Sequence, residues 1–259
     1  MFDTHCHLFD KAYIGTLDSL ITSSRDAGVL NFLIPAVNVE TSKEAIKISK
    51  LYQNTYCAVG IHPTEKLESV NLESDEAFLS EACLEQKVVA IGECGLDYYH
   101  FKSSPDVQKK YLLMHLKLAL KYEKALILHN RQSTKDVLEI LINNWQETLR
   151  GKIVFHCASF EDELIDFAKK FDCYLGVDGD ITYDQFKQKR IHNLPLQSLL
   201  LETDSPYLLP EPLKSQKKYP NTPANLGITA DFVAKLMSID KKSLIEQTTK
   251  NAKNVFGLK

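Results

Sequence analysis

Short apolar runs alternate with longer amphipathic stretches along the whole chain. Eight of these runs are almost continuously apolar, which is typical of parallel strands that are buried on both faces. They predict strands at residues 1–5, 31–36, 55–61, 88–93, 125–129, 153–156, 173–177 and 199–204. Because each predicted strand is followed by helical sequence, the pattern favours an α/β fold of the (β/α)8 or TIM barrel type over an open sheet.

The stretches between the runs have helical periodicity. Residues 133–149 open with a Ser-Thr pair, and their predicted buried face consists of Val137, Leu138, Leu141, Ile142 and Trp145. Residues 106–122 repeat the pattern with Tyr111, Leu112, His115, Leu116 and Ala119. The sequence has no internal repeat and no linker, so we predict a single domain over residues 1–259. Residues 206–226, which are irregular and contain five prolines, are predicted to form a functional loop.

Metal-binding side chains stand where five of the apolar runs stop. They are His5 and His7 after the first strand, Glu93 after the fourth, His129 after the fifth, His156 after the sixth and Asp204 after the eighth. In a (β/α)8 barrel the carboxyl ends of the strands form one mouth, so these six side chains should converge there. Imidazole and carboxylate ligands suit zinc, manganese, nickel or magnesium. The pattern therefore predicts a metal centre rather than scattered polar groups of the core.

The spacing of these residues indicates how two cations would be held. Side chains two positions apart in an extended strand point to the same face, so His5 and His7 can bind one ion together. Glu93 can bridge two ions, and His129 and His156 can complete the second. Asp204 can bind the first ion and also accept a proton from an attacking water, whose pKa two cations would lower. Glu93 and Asp204 are thus the predicted catalytic residues of a hydrolase.

The overall composition excludes several classes of protein. The formal net charge of −3 over 259 residues provides no bulk basic field for long nucleic acids. No signal-peptide pattern opens the sequence, and no apolar run approaches the roughly 20 residues of a membrane span. The six cysteines are scattered and form no CxxC pair. We expect a cytoplasmic protein with no membrane partner and no organic cofactor, and we predict a monomer.

The motifs together match a known family. They are FDTHCH at residues 2–7, GIHP at 60–63, GECGLDY at 92–98, LHNR at 128–131, HC at 156–157 and LETDSPY at 201–207. Over essentially its whole length the chain resembles the TatD-type deoxyribonucleases, which are metal-dependent hydrolases of the amidohydrolase-like barrel group. The resemblance implies a TIM barrel and a two-metal site, and the ligand chemistry leaves open whether the ions are zinc, magnesium or manganese. In such proteins the positions matching His5, His7, Glu93 and Asp204 hold one ion, and those matching Glu93, His129 and His156 hold the other.

The resemblance also implies hydrolysis of DNA phosphodiester bonds, often from a chain end. Our first hypothesis is therefore a metal-dependent DNase that acts on single strands or ends. A second hypothesis is a hydrolase of the same fold acting on a small phosphoester, lactone or amide, which a deep closed cavity would favour. A third hypothesis, from a different class, is a catalytically silent binding protein. The complete set of metal ligands argues against it.

Other residues near the predicted mouth are candidates for substrate contact. His62 ends the third predicted strand and would contact a substrate phosphate or make a structural hydrogen bond. Arg131 would hold a phosphate bidentately, or else form a salt bridge to Asp97, which we expect to orient a ligand or loop. Three tyrosines would either stack on bases or only line the rim: Tyr98, Tyr99 and Tyr207.

Overall fold

The computed structural model describes residues 1–69 and 71–259. Its strands are β1 (Phe2–Asp3), β2 (Asn31–Pro35), β3 (Thr55–Val59), β4 (Val88–Asp97), β5 (Ala125–Arg131), β6 (Ile153–Phe155), β7 (Tyr174–Val177) and β8 (Leu199–Leu201). All eight are parallel, and each pairs with the next along the chain. The predicted (β/α)8 barrel and its eight strands are confirmed.

Helices follow the strands and cover the outside of the barrel. They are α1 (Leu17–Asp26), α2 (Val39–Leu51), α3 (Leu72–Ala82), α4 (Pro105–Tyr122), α5 (Thr134–Asn143), α6 (Asp162–Phe171), α7 (Gln185–Arg190), α8 (Leu226–Leu236) and α9 (Lys241–Val255). The apolar face predicted for α4 is buried, including His115. Within the described residues, no helix combines the length and the apolar character needed to cross a membrane.

The helix predicted over residues 133–149 is shorter than expected. It ends at Asn143, and a separate turn of 3-10 helix follows at Glu147–Leu149. Ile142, which was predicted to face the core, is 55% exposed. Ile142 lies one turn after the buried Leu138 but about 100° from the buried Leu141, at the edge of the buried face, where the local pattern does not decide whether a side chain is covered. Trp145 lies beyond the helix, where its ring packs 4.1 Å from that of Phe171.

Hydrogen bonds between the ends of β1 and β8 bring the sheet round on itself. The amide of Thr4 donates to the carbonyl of Leu201 at 3.1 Å. The carboxyl group of Asp3 accepts from the amide of Thr203 at 3.0 Å and from its hydroxyl at 2.6 Å, across 200 positions of sequence. These contacts set the first strand beside the last, so the segments that follow both strands leave the barrel side by side.

The C-terminal helix covers the amino end of the barrel. Apolar side chains from the strands and from the end of α9 form one buried cluster there, which includes Phe2, Leu33, Ala90, Leu200, Val255 and Phe256. The rings of Phe2 and Phe256 lie 6.0 Å apart. Because this end is filled with apolar side chains, polar groups that converge inside the barrel are confined to the opposite, carboxyl end.

His115 supports the chain segment that leads to His62, and this role makes stability depend on pH. Its buried Nε2 accepts a hydrogen bond from the amide of Ile61 at 2.9 Å, while Nδ1 lies 2.6 Å from the carbonyl oxygen of Tyr111. The ring is therefore neutral. Burial lowers its pKa to about 4.

His115 takes up a proton near pH 6.5 in the unfolded chain but only near pH 4 in the folded chain. The contribution of the neutral ring to the unfolding free energy is therefore fully present above pH 6.5. It falls by up to about 3 kcal/mol as the pH drops to 4. We expect the difference in unfolding free energy between the wild type and His115→Gln, measured in urea, to shrink over this range. The exposed His192→Gln is the matched control. A difference that stays constant from pH 7 to 4.5 would contradict the prediction.

Candidate metal centre

His5, His7 and Asp204 meet where the first and last strands adjoin. The amide of Asp204 donates to the carbonyl of His5 at 2.9 Å, and that of His7 donates to Ser205 at 2.7 Å. These backbone contacts bring His7 Nε2 to 3.2 Å and His5 Nε2 to 3.7 Å from Asp204 Oδ1. β1 itself ends at Asp3, yet the two histidines still reach the same carboxylate, because Cys6 between them pairs with Ser205.

Glu93 occupies the centre of the cluster, with its two carboxylate oxygens facing different histidines. Oε2 lies 3.2 Å from His5 Nε2. Oε1 lies 3.2 Å from His129 Nδ1 and 3.3 Å from His62 Nε2. A buried carboxylate with one oxygen toward each group has the arrangement that a bridging ligand requires.

His156 joins the cluster from the side of His5 rather than that of His129. Its ring stacks on that of His5 with centroids 3.4 Å apart, and its Nε2 lies 3.8 Å from Asp204 Oδ1. Its Nδ1 lies 2.8 Å from Glu202 Oε1, which also accepts a hydrogen bond from the amide of Cys157. The predicted pairing of His129 with His156 on one ion stays a prediction.

Partners outside the cluster orient three of the imidazoles. His7 Nδ1 lies 3.1 Å from the carbonyl oxygen of Pro35, and His129 Nε2 lies 2.9 Å from Asp97 Oδ2. Glu202 Oε1 likewise lies 2.8 Å from His156 Nδ1. In each case an acceptor holds the outer nitrogen, so the other nitrogen is directed into the cluster, as in metal-binding histidines.

His5 is the clearest indication that these side chains fit divalent cations. Its ring is fully buried; Nδ1 has no hydrogen-bond partner, and Nε2 makes no well-formed hydrogen bond although it lies 3.2 Å from Glu93 Oε2. A buried unpartnered polar atom costs roughly 1–3 kcal/mol, which coordination would offset. Within this cluster, ligand atoms lie within 4.8 Å of one another in three groups: His5 with His7 and Asp204, His5 with Glu93 and His156, and His62 with Glu93 and His129.

The imidazoles keep both carboxylates of the cluster ionised. Burial by itself would raise the pKa of Glu93, but the nearby histidines, with His62 and His5 foremost, hold that pKa well below its usual range. Burial likewise opposes ionisation of Asp204, and His156 and His7 lower its pKa. Both groups are therefore carboxylates at neutral pH, which is the form that binds a cation.

The cluster opens into a cavity of about 570 Å³ at the carboxyl end of the barrel. The predicted residue His62 lines this cavity, whereas the guanidinium of Arg131 lies over the ring of Tyr99 at 4.6 Å. Five lining residues were not predicted from sequence: Val37, Thr64, Glu65, His100 and Lys102. His100 lies 2.9 Å from Asp97, three positions earlier, and this short spacing is a signal that could have identified it.

The fold and the cluster together define a TIM-barrel protein of the metal-dependent hydrolase class. The sequence model of the TatD related DNase family matches residues 2–257. The chain therefore belongs to this family, and the resemblance noted from its motifs is confirmed.

Relatives of this chain match over its full length. The chain is 31% identical to "Uncharacterized metal-dependent hydrolase YabD" of Bacillus subtilis, with 99% of the chain and 98% of the relative covered. It is 29% identical to "3'-5' ssDNA/RNA exonuclease TatD" of Escherichia coli, with 100% and 99% covered. The crystal structure of the TatD homologue YJJV from Escherichia coli superimposes with a TM-score of 0.90 at 27% identity, covering 100% and 98%.

Replacing Asp97 by asparagine should weaken metal binding without unfolding the protein. Asp97 accepts from both His129 and His100, so its loss would free the His129 ring to rotate. Partners of this kind typically contribute 10- to 100-fold to metal affinity. We expect Asp97→Asn to bind zinc about 10- to 100-fold more weakly in competition titrations against a chromophoric chelator.

Asp136→Asn provides the matched control. Asp136 accepts from Tyr98 and pairs with Lys109 on the surface, away from the histidines. It should bind zinc as the wild type does, and circular dichroism should confirm that both variants are folded. Wild-type zinc affinity in Asp97→Asn would mean that His129 is not held for a metal.

Proposed function

We propose that this protein is a metal-dependent nuclease that removes nucleotides from the ends of single-stranded DNA. The observation that carries the proposal is the central position of Glu93, which faces two sets of histidines with different oxygens at the bottom of an open cavity. Two divalent cations, when bound, would lower the pKa of a water and neutralise charge on a phosphoryl oxygen. The relative named as a single-strand exonuclease supports this substrate class.

The proposed ligands are those that the family resemblance implies, although His156 lies beside His5 rather than beside His129 in this structure. His5, His7 and Asp204 would bind one ion, His129 and His156 the other, and Glu93 both. Zinc, magnesium and manganese all accept this set of nitrogen and oxygen ligands. Because the ring nitrogens of His5 are buried, the ion that this histidine would bind would stabilise the folded protein as well as serve catalysis.

Asp204 is the proposed proton acceptor. Of the two carboxylates of the cluster, it is the more exposed to the cavity, since its side chain is 13% exposed against 4% for that of Glu93. The neighbouring imidazoles keep its pKa low, so Oδ1 is free of a proton before the reaction. It can then accept the proton of a water that attacks the phosphorus atom, as a general base does.

The remaining lining residues would bind the phosphate group. His62 Nε2 faces the cavity beside Glu93, while its Nδ1 lies 2.6 Å from the hydroxyl of Thr64. This bond fixes the ring with Nε2 3.3 Å from Glu93 Oε1, where it would also be within reach of a phosphate oxygen in the cavity. Lys102 adds a positive charge to the same wall. Arg131 would reach a phosphate only at the rim.

The size of the cavity favours a chain end over a duplex. A volume of about 570 Å³ falls within the range of sites that accept one small ligand, and so it matches about one nucleotide rather than a double helix. A single strand would therefore have to insert one of its ends into the cavity. This argument and the named relative together favour exonucleolytic cleavage over internal cleavage.

Asp204→Asn should abolish most of the activity while leaving the fold intact. Asp204 has φ 50°, a conformation that asparagine tolerates better than most residues. The loss of a general base and a ligand should lower kcat by roughly 100- to 10,000-fold. We would measure release of mononucleotides from an end-labelled oligothymidylate with magnesium, manganese and zinc in turn.

The control is Asp184→Asn at the start of α7, where the carboxylate caps the helix instead of facing the cluster. Wild-type turnover by Asp204→Asn with metal supplied would contradict the mechanism. A small phosphodiester and a lactone assayed beside the oligonucleotide would reveal the alternative hydrolase, which would turn over one of these but not DNA.

Chelation of the metals should remove both activity and some stability. We expect EDTA to reduce oligonucleotide cleavage to background and to lower the thermal unfolding midpoint, because an ion that binds only the folded state adds about 2.7 kcal/mol at 100 times its dissociation constant. Activity and midpoint should return when manganese or zinc is restored. A midpoint that does not respond to EDTA or to added metal would argue that the cluster holds no ion.

A further inference from the structure

Exposed aromatic side chains are concentrated at the carboxyl end of the barrel. Among the described residues, five aromatic rings are largely exposed: Tyr99, Phe101, Phe186, Tyr207 and Tyr219. All five follow a strand, on the side where the cavity opens. The exposed aliphatic residues lie mostly at the amino end, where helices finish: Leu30, Leu51, Leu84 and Ile142, with Ile14 as the exception. Exposed rings on one face indicate a binding surface.

Four of these rings lie on two loops that face each other across the mouth. Tyr99 and Phe101 belong to residues 98–104 between β4 and α4, and Tyr207 and Tyr219 belong to residues 202–222 after β8. In a ring of eight strands with β1 beside β8, the fourth and eighth strands lie on opposite sides. We name these segments the β4 loop and the β8 loop. The cavity, with Lys102 and Tyr207 in its lining, lies between them.

Cationic side chains lie in or beside both loops, although the chain as a whole has a net charge of −3. On the β4 side, the guanidinium of Arg131 lies 4.6 Å from the ring centroid of Tyr99, and Lys102 lines the cavity. On the β8 side, Lys217 and Lys218 are exposed. Alternation of rings and cations is the combination that binds single-stranded nucleic acid, because rings stack on bases and cations attract phosphates.

Tyr207 is held close to the metal centre. Its ring centroid lies 5.9 Å from that of His7, and its hydroxyl donates to Asp10 Oδ2 at 3.2 Å. Tyr99 is similarly linked, because its ring lies 4.9 Å from that of His100, which contacts Asp97. Both rings therefore occupy defined positions on either side of the centre, as a pair of stacking sites requires.

We propose that a single strand crosses the mouth from the β4 loop to the β8 loop, with one base stacked on Tyr99 and Arg131 and another on Tyr207. The phosphate between the two bases would then lie over the metal centre. The inference rests on the proposed nuclease function and adds to it two residues that position the strand. Stacking accepts any base, so the site would bind single strands without reading their sequence.

The test compares strands that have bases with strands that lack them. Binding of phosphorothioate-linked octamers, which resist cleavage, is measured by fluorescence anisotropy for oligothymidylate and for an abasic strand of the same length. The wild type should bind oligothymidylate more tightly than the abasic strand. Tyr99→Leu and Tyr207→Leu should each lose about tenfold affinity for oligothymidylate and little for the abasic strand, as expected for the loss of one stacked base.

Leu84→Ala, which removes an exposed apolar side chain at the amino end, is the matched control and should bind both strands as the wild type does. Equal losses for both strands in the tyrosine variants would overturn the proposal, as would a wild type that binds the two strands alike. Failure of the nuclease function has a different signature: base-dependent binding would persist, but unmodified oligothymidylate would not be cleaved with any metal.

Discussion

The closure of the barrel between its first and last strands is the constraint on which the candidate site depends. Asp3 accepts two hydrogen bonds from Thr203, and the backbone of His5 accepts one from Asp204. The burial of Asp3 raises its pKa to about 8, which marks how little water reaches this seam. Without the seam, His5 and His7 near the amino terminus would have no fixed relation to a carboxylate about 200 positions later.

Around that seam, the ionisation and the orientation of each side chain in the site depend on its neighbours. The carboxylates of Glu93 and Asp204 stay ionised because imidazoles surround them, and the imidazoles keep their orientation because Asp97, Glu202 and Pro35 hold the outer nitrogens. The other ring nitrogens of these histidines point into the cluster. Because the ligand side chains are already oriented, they lose little conformational freedom when a metal binds. This arrangement favours a high affinity for the metal and a defined geometry for the reaction.

The two ends of the barrel have different roles: one end is packed core and the other carries the candidate site. The amino end is filled by α9, with Phe256 against Phe2, so the barrel interior there is a packed core. The carboxyl end carries the cluster, the cavity and the exposed rings. This division is general for (β/α)8 barrels, because the loops that follow the strands vary without disturbing the packed layers below them.

The sequence alone determined the eight strands, the barrel and the six side chains that converge, because buried parallel strands have a continuous apolar pattern and the ligands stand where that pattern stops. It did not determine the end of the helix at Asn143 or the exposure of Ile142, since local periodicity does not report which neighbour covers a face. Nor did it reveal that His156 stacks on His5, that His62 reaches Glu93, or that His100 and Lys102 line the cavity. Those contacts join residues far apart in the chain, and only the curvature and closure of the sheet decide which of them meet.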